Sequence, residues 1–208
     1  MHDLGRNEDR LRGTYEFPFE FHHIDSSHPR YVMSYHWHVE CEIMRVLQGT
    51  LTVTLDEKSF TAKAGDVIFV NSGVLHSGIP QDCIYQCIVF DMNMFLKFNS
   101  ICTEYMQKIS HQELLIYHHF TEKQPDIQRA VNSLFDSFWQ RKPGYELVVF
   151  GQFYHFFGLV FGNHYYLESL RKTRRDYKRI VQLKQVVEFI EKNYASPVSY
   201  THLRAHET

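Results

Sequence analysis

The chain has 208 residues, of which 44% are hydrophobic and 22% charged, with a formal net charge of −2. These values describe a globular protein with room for one medium domain and an appended piece. They exclude a strongly basic surface, so any DNA-binding part of the chain is expected to be small or absent.

The first residues, "MHDLGRNEDRLRG", are polar and carry no apolar segment of the kind that directs secretion. Residues 1–14 therefore read as an arm, and the protein as cytoplasmic. Cys41, Cys83, Cys87 and Cys102 form no CxxC pair, which argues against a zinc ribbon or a thioredoxin-type motif and for reduced thiols.

From residue 15 to 90 the pattern is of short strands separated by turn residues. "YEFPFEF", "RYVMSYHWH", "CEIMRVLQ", "TLTVTL", "SFTAK", "DVIFVNS" and "IYQCIVF" are rich in β-branched and aromatic types, with Gly49, Asp56, Gly65 and Gly73 at the breaks. Many short strands at near-regular spacing predict a sandwich or small barrel. The 17 Phe and 13 Tyr of the chain suit such a core or a ligand pocket.

After Asp91 the pattern turns helical, through residues 91–168. "PDIQRAVNSLFDSFWQR" opens with Pro125 at the first helical position and sets Ile127, Val131, Leu134, Phe135 and Phe138 on one face. "YELVVFGQFYHFFGLVFGNHYYL" predicts a second, more apolar helix. Its core, residues 147–161, is shorter than a membrane span and contains Gln152 and His155, so it reads as a buried helix. Such a helix packs within the subunit or against a second copy, and both readings stand open.

Residues 169–179 contain "RKTRRDYKR", a linker that is either a solvated charge run or a hinge beside DNA phosphates. Beyond it, Ile180, Leu183, Val187, Ile190 and Tyr194 step by three and four, predicting an amphipathic helix over 180–196. The last residues, "VSYTHLRAHET" (198–208), continue no pattern and back-translate in frame to a widely used sequencing adapter. Residues 197–208 are therefore expected to be an artefact, and His202 and His206 are assigned to no site.

On a strand, alternate side chains share a face, so His36, His38 and Glu42 are expected to point one way and Trp37 and Cys41 the other. His76 follows in "GDVIFVNSGVLH", where Gly65 and Gly73 are expected to allow a tight approach between strands. Three imidazoles and a carboxylate suit Fe, Mn, Ni or Zn; equally, they suit polar pocket lining that hydrogen-bonds an organic ligand.

These spacings resemble the cupin superfamily. Its first motif pairs HxH with a Glu after three residues and a Gly after six more, here His36, His38, Glu42 and Gly49. Its second motif is matched by Gly65, Gly73 and His76, while Asn71 stands where the motif has Pro and Pro80 where it has Asn. The resemblance implies a double-stranded β-helix barrel with the four polar residues turned inward, mainly β with a C-terminal α portion.

The order of parts resembles the AraC family of transcription regulators: a cupin barrel, two helices, a basic linker, then "LKQVVEFIEKNYASP". Val187, Phe189, Ile190, Asn193 and Tyr194 carry the pattern of the first helix of that family's DNA-binding domain. The resemblance implies a sensor that binds a small-molecule effector, often a sugar, and dimerises. It implies no catalysis, and DNA recognition by helix-turn-helix motifs that would follow where the adapter begins. The alternative is a metal-dependent cupin enzyme of the dioxygenase or sugar isomerase type, with His36, His38, Glu42 and His76 as its ligands.

Overall fold

The computed structural model describes residues 6–7, 12–97, 101–169 and 186. The basic stretch, the anticipated helix over 180–196 (Val186 apart) and the tail lie outside the described residues. In chain order the elements are β1 (Arg6–Asn7), β2 (Phe19–Ile24), β3 (Met33–Trp37), β4 (Cys41–Leu55), β5 (Lys58–Lys63), β6 (Val67–Val70), β7 (His76–Phe90), a 3-10 turn (Met92–Leu96), α1 (Thr103–Ser110), β8 (Leu114–Ile116), β9 (His119–Phe120), α2 (Pro125–Gln140), α3 (Tyr145–Gly162) and β10 (Tyr166–Glu168).

Two long antiparallel strands, β4 and β7, pair along their length from Cys41↔Phe90 to Leu55↔His76. The far edge of β4 carries β6 and then β5, and the far edge of β7 carries β3 and then β2. The result is the rolled, mainly antiparallel sheet of a cupin-type barrel followed by helices.

The sequence pattern suggested a break at Gly49, but β4 runs through it as one strand of 15 residues. Gly49 has φ +66° and sits against the backbone carbonyl of Asp82, so a Cβ there would clash. The register with β7 shifts on either side of Gln48. Inward-facing positions accordingly change from Met44 and Val46 to Leu51, Val53 and Leu55. A bulge of this kind keeps the apolar face inward while bending the strand. Gly65 was expected to admit a close strand, yet the nearest atom to a Cβ there is 3.8 Å away. Its φ of +92° serves the turn before β6 instead.

Alternation along the strands produces two cores. Ile24, Met44, Leu51, Val53, Val70, Tyr85 and their neighbours fill the barrel. Phe19, Ile43, Phe69, Ile88 and Phe90, on the opposite faces of the same strands, pack against α2 and α3. Pro125 opens α2, and all five residues of its predicted stripe are buried. Phe153 of α3 stacks on Phe19 at 5.1 Å between ring centroids and meets Phe90 at 4.5 Å. The α3 helix was expected to be buried on all sides, but it leaves Leu147 80% exposed, together with Gly151, His155, Gly158 and Gly162. Among the described residues no helix is long and apolar enough to cross a membrane. The four cysteines are free thiols.

Candidate metal and effector site

The even-numbered face of β4 and the ends of β3 and β7 deliver the site. His36 pairs directly with His76 across β3 and β7, and Glu42 enters from β4. One donor atom from each of His36, His38, Glu42 and His76 lies within 4.8 Å of all the others. Cys41 belongs to the helix-facing core, as the alternation predicted, and Trp37 is buried. His38, Glu42 and His76 are 3% exposed or less, whereas His36 borders the opening.

Each imidazole is held by a backbone carbonyl through Nδ1. His36 Nδ1 is 2.9 Å from Ser34 O, His38 Nδ1 is 3.0 Å from Glu40 O, and His76 Nδ1 is 2.9 Å from Val74 O. A carbonyl only accepts, so each Nδ1 carries hydrogen and leaves Nε2 with the lone pair in the neutral ring. Glu42 Oε2 lies 3.3 Å from His38 Nε2 and 3.3 Å from His76 Nε2, and the latter nitrogen, though buried, has no aligned hydrogen-bond partner.

Lone pairs therefore converge on a carboxylate in a dry place, an arrangement that needs a proton or a cation between them. Burial works against the Glu42 carboxylate, but the His38 and His76 rings outweigh it and hold the carboxyl well below its usual range. Burial, then the neighbouring His76, depresses His36 to about 4, so that ring is neutral at physiological pH. Three rings locked by carbonyls with Nε2 turned inward, plus one ionised carboxylate, fit a divalent metal and its supporting hydrogen bonds.

Three of the four residues open onto a cavity of about 430 Å³ at the barrel mouth. Its apolar wall includes Ile24, Met33 and Tyr85, and its polar wall includes Arg12, His22 and Arg30. Arg12, within the arm, is buried, with Nη1 2.7 Å from Glu20 Oε2 and Nε 3.8 Å from Glu40 Oε1. Just upstream, Arg6–Asn7 pairs in parallel with His36–Trp37. Cys87 also borders the cavity; burial, then the nearby Glu42 carboxylate, pushes its thiol well above the ordinary range, so it is an unreactive wall. Sequence reasoning did not single out Arg12, because a charged residue in a polar arm reads as solvated. The usable signal was its position a few residues before the aromatic strand Phe19–Ile24.

A family profile described as the AraC-like ligand binding domain matches residues 18–156. The chain belongs to this family. The match covers the barrel, α2 and most of α3, and supports a ligand-sensing role for this AraC-type domain. A curated relative, an uncharacterized HTH-type transcriptional regulator, YdeC, of Bacillus subtilis (strain 168), is 34% identical over 56 residues. That stretch is 26% of this chain and 19% of the relative, so the AraC-type domain spans about a fifth of the relative it matches. Among solved structures, a mutant of Bacillus subtilis oxalate decarboxylase overlaps 29% of this chain and 18% of its own, at 25% identity and a TM-score of 0.27. A conserved protein of unknown function from Streptococcus pyogenes, SPY1581, overlaps 35% of this chain and 62% of its own, at 15% identity and a TM-score of 0.30. At these scores neither overlap bears on the chemistry of this site.

Proposed function

We propose that this chain is the sensing part of a transcription regulator, and that His36, His38, Glu42 and His76 form its effector site around a divalent metal such as Fe, Mn, Ni or Zn. The observation that carries the reading is the convergence of these four side chains, three of them at an open cavity, in an AraC-like ligand binding domain. A bound metal would supply a Lewis-acidic anchor for an oxygen-bearing effector. The chain's own residues do the rest: the carbonyls of Ser34, Glu40 and Val74 orient the rings, Tyr85 and Met33 exclude water, and Arg12 brings the arm to the cavity wall. A sugar is the effector class that the family resemblance implies, and the polar wall offers it hydrogen-bond donors.

Output, in this reading, comes from paired copies and from a DNA-binding part beyond the basic stretch 171–179. The exposed face of α3 supports pairing: a Cβ at Gly151, Gly158 or Gly162 would meet nothing within 4 Å, which leaves room for another helix. An effector shifts the DNA-bound population only by the difference in its affinity for the two states. The test is to recover the source gene beyond the codon for Ser196 and measure binding of its product to its own upstream DNA across a salt series. Helix-turn-helix patterns and effector-dependent, salt-sensitive binding are expected. A stop codon soon after Ser196 would favour the alternative, a metal-dependent cupin enzyme built on the same four residues.

A further inference from the structure

The loop between β6 and β7, Asn71–Leu75, touches the site on one side and β8, the partner of β10, on the other. On the site side, Gly73 N donates to His38 O at 2.9 Å, Ser72 Oγ donates to Val39 O, and Val74 O holds the His76 ring. Both backbone carbonyls are next to or part of the ligand-bearing turn between β3 and β4. On the far side, the Asn71 side chain makes a reciprocal pair with one residue of β8. Its Nδ2 donates to Ile116 O at 2.8 Å, and its Oδ1 accepts from Ile116 N at 3.0 Å. Gln112 Nε2 donates to Ser72 O beside it.

An amide that answers both the N–H and the C=O of one residue imitates a strand partner. Asn71, Gln112 and Ile116 are all at most 3% exposed, so water does not compete for these bonds. Ile116 is in turn the Cα partner of Tyr166 in β10, and the ladder closes with Ser169 N donating to Glu113 O at 2.8 Å. From Ser169 the chain continues toward the basic stretch. Backbone and hydrogen bonds thus connect His38 and His76 through the buried Asn71–Ile116 pair to β10, the last described strand, which itself lies at the surface.

We infer that Asn71 is a positioning residue that ties occupancy of the His/Glu site to the β8–β10 pair, and so to whatever follows Ser169. This rests on the reading of the four residues as the effector site. The motif resemblance places a proline at this position; proline has no side-chain amide and could not make the Ile116 pair. The substitution therefore adds a connection that a proline-bearing barrel would lack.

The experiment is hydrogen–deuterium exchange on the 208-residue protein with and without Zn²⁺, in wild type, Asn71→Ala and Asn71→Asp. Wild type is expected to show slower exchange at 114–116 and 166–168 when Zn²⁺ binds. Asn71→Ala is expected to keep Zn²⁺ affinity within about a hundredfold, the range of supporting contacts, and to slow only around His36–Glu42 and His76. Asn71→Asp keeps the acceptor for Ile116 N and loses the donor, so an intermediate response is expected if Asn71→Ala does not fold. Equal slowing at 166–168 in wild type and the folded variant overturns the inference, as does wild-type Zn²⁺ binding without change there. A second arm needs no metal: His76→Gln should speed exchange at 166–168 when Asn71 is present, and less so in the Asn71→Asp background. If wild type binds no Zn²⁺, the metal reading fails, and this arm alone decides the connection: an identical effect of His76→Gln in both backgrounds overturns it.

Discussion

The two faces of β4 and β7 are built for opposite ends. One face, with Ile43, Ile88 and Phe90, meets α2 and α3 in a core dense in phenylalanine rings. The other face carries Met44 and Tyr85, then Glu42 and the imidazoles, around a cavity. Residues adjacent in sequence, such as Cys41, Glu42 and Ile43, are thus divided between holding the domain together and binding. The helical face can be apolar and close-packed because nothing must enter it. The barrel mouth keeps buried polar groups that only a ligand or cation fully satisfies.

If the division is right, damage to the helical face should cost stability and leave binding in place. Phe153→Ala removes a ring that touches Phe19, Phe90, Phe95 and Phe157. A loss of about 3–5 kcal/mol in urea unfolding is expected, with Zn²⁺ affinity of the folded protein unchanged; a loss below about 1 kcal/mol would dissolve the contrast.

Arg45, with Gln86 beside it, is a polar exception on that face. Its guanidinium donates to Gln86 Oε1 at 2.9 Å, Asn132 Oδ1 at 3.0 Å and Asp136 Oδ1 at 2.8 Å, above the Phe135 ring. Arg45→Ala strands the buried Gln86 acceptor, while Asp136, half exposed, turns to water. About 1–3 kcal/mol is expected from the same measurement, and a neutral result would mean the ion pair contributes nothing.

The binding face should show itself through pH. Metal-free protein is expected to lose stability as pH falls from 6.5 toward about 4, because His36 titrates near 4 in the fold and near its usual 6.5 when unfolded. The unfolded chain then binds the extra proton across that window. Glu42 acts in the same direction at lower pH, its depressed value giving stability that is lost as the carboxylate is protonated. Urea midpoints that stay level across this window in wild type, or that slope equally in His36→Asn, would contradict the assignment.

The smallest effect on the fold belongs to the exposed face of α3. Leu147→Glu should change monomer stability by under about 0.5 kcal/mol yet shift sedimentation toward monomer. Unchanged sedimentation would remove α3 from the pairing proposal.

Much of the binding face was legible in the sequence, since His36, His38 and Glu42 follow strand alternation and His76 follows a glycine-marked loop. The α2 stripe was equally plain, because its spacing and Pro125 agree. Gly49 misled because the same residue marks a break and a bulge, and only its partner strand decides which. The short β8, β9 and β10 gave no periodicity; pairing with distant strands and with Asn71 makes them. Arg12 and Arg45 were passed over since a charge in sequence does not reveal the carboxylates and amides that gather around it on folding. Asn71 looked like a departure from a motif, and its role appeared only with Ile116 beside it.

The most direct measurement is equilibrium dialysis of the metal-stripped protein against Zn²⁺, in wild type and Glu42→Gln. Glutamine keeps the shape and removes the one anionic donor among the four. About one equivalent in wild type, with affinity lowered at least about a hundredfold in the variant, is what this account predicts, since ligand loss should exceed the effect of a supporting contact. No zinc above background in wild type, or equal binding by both proteins, would contradict it.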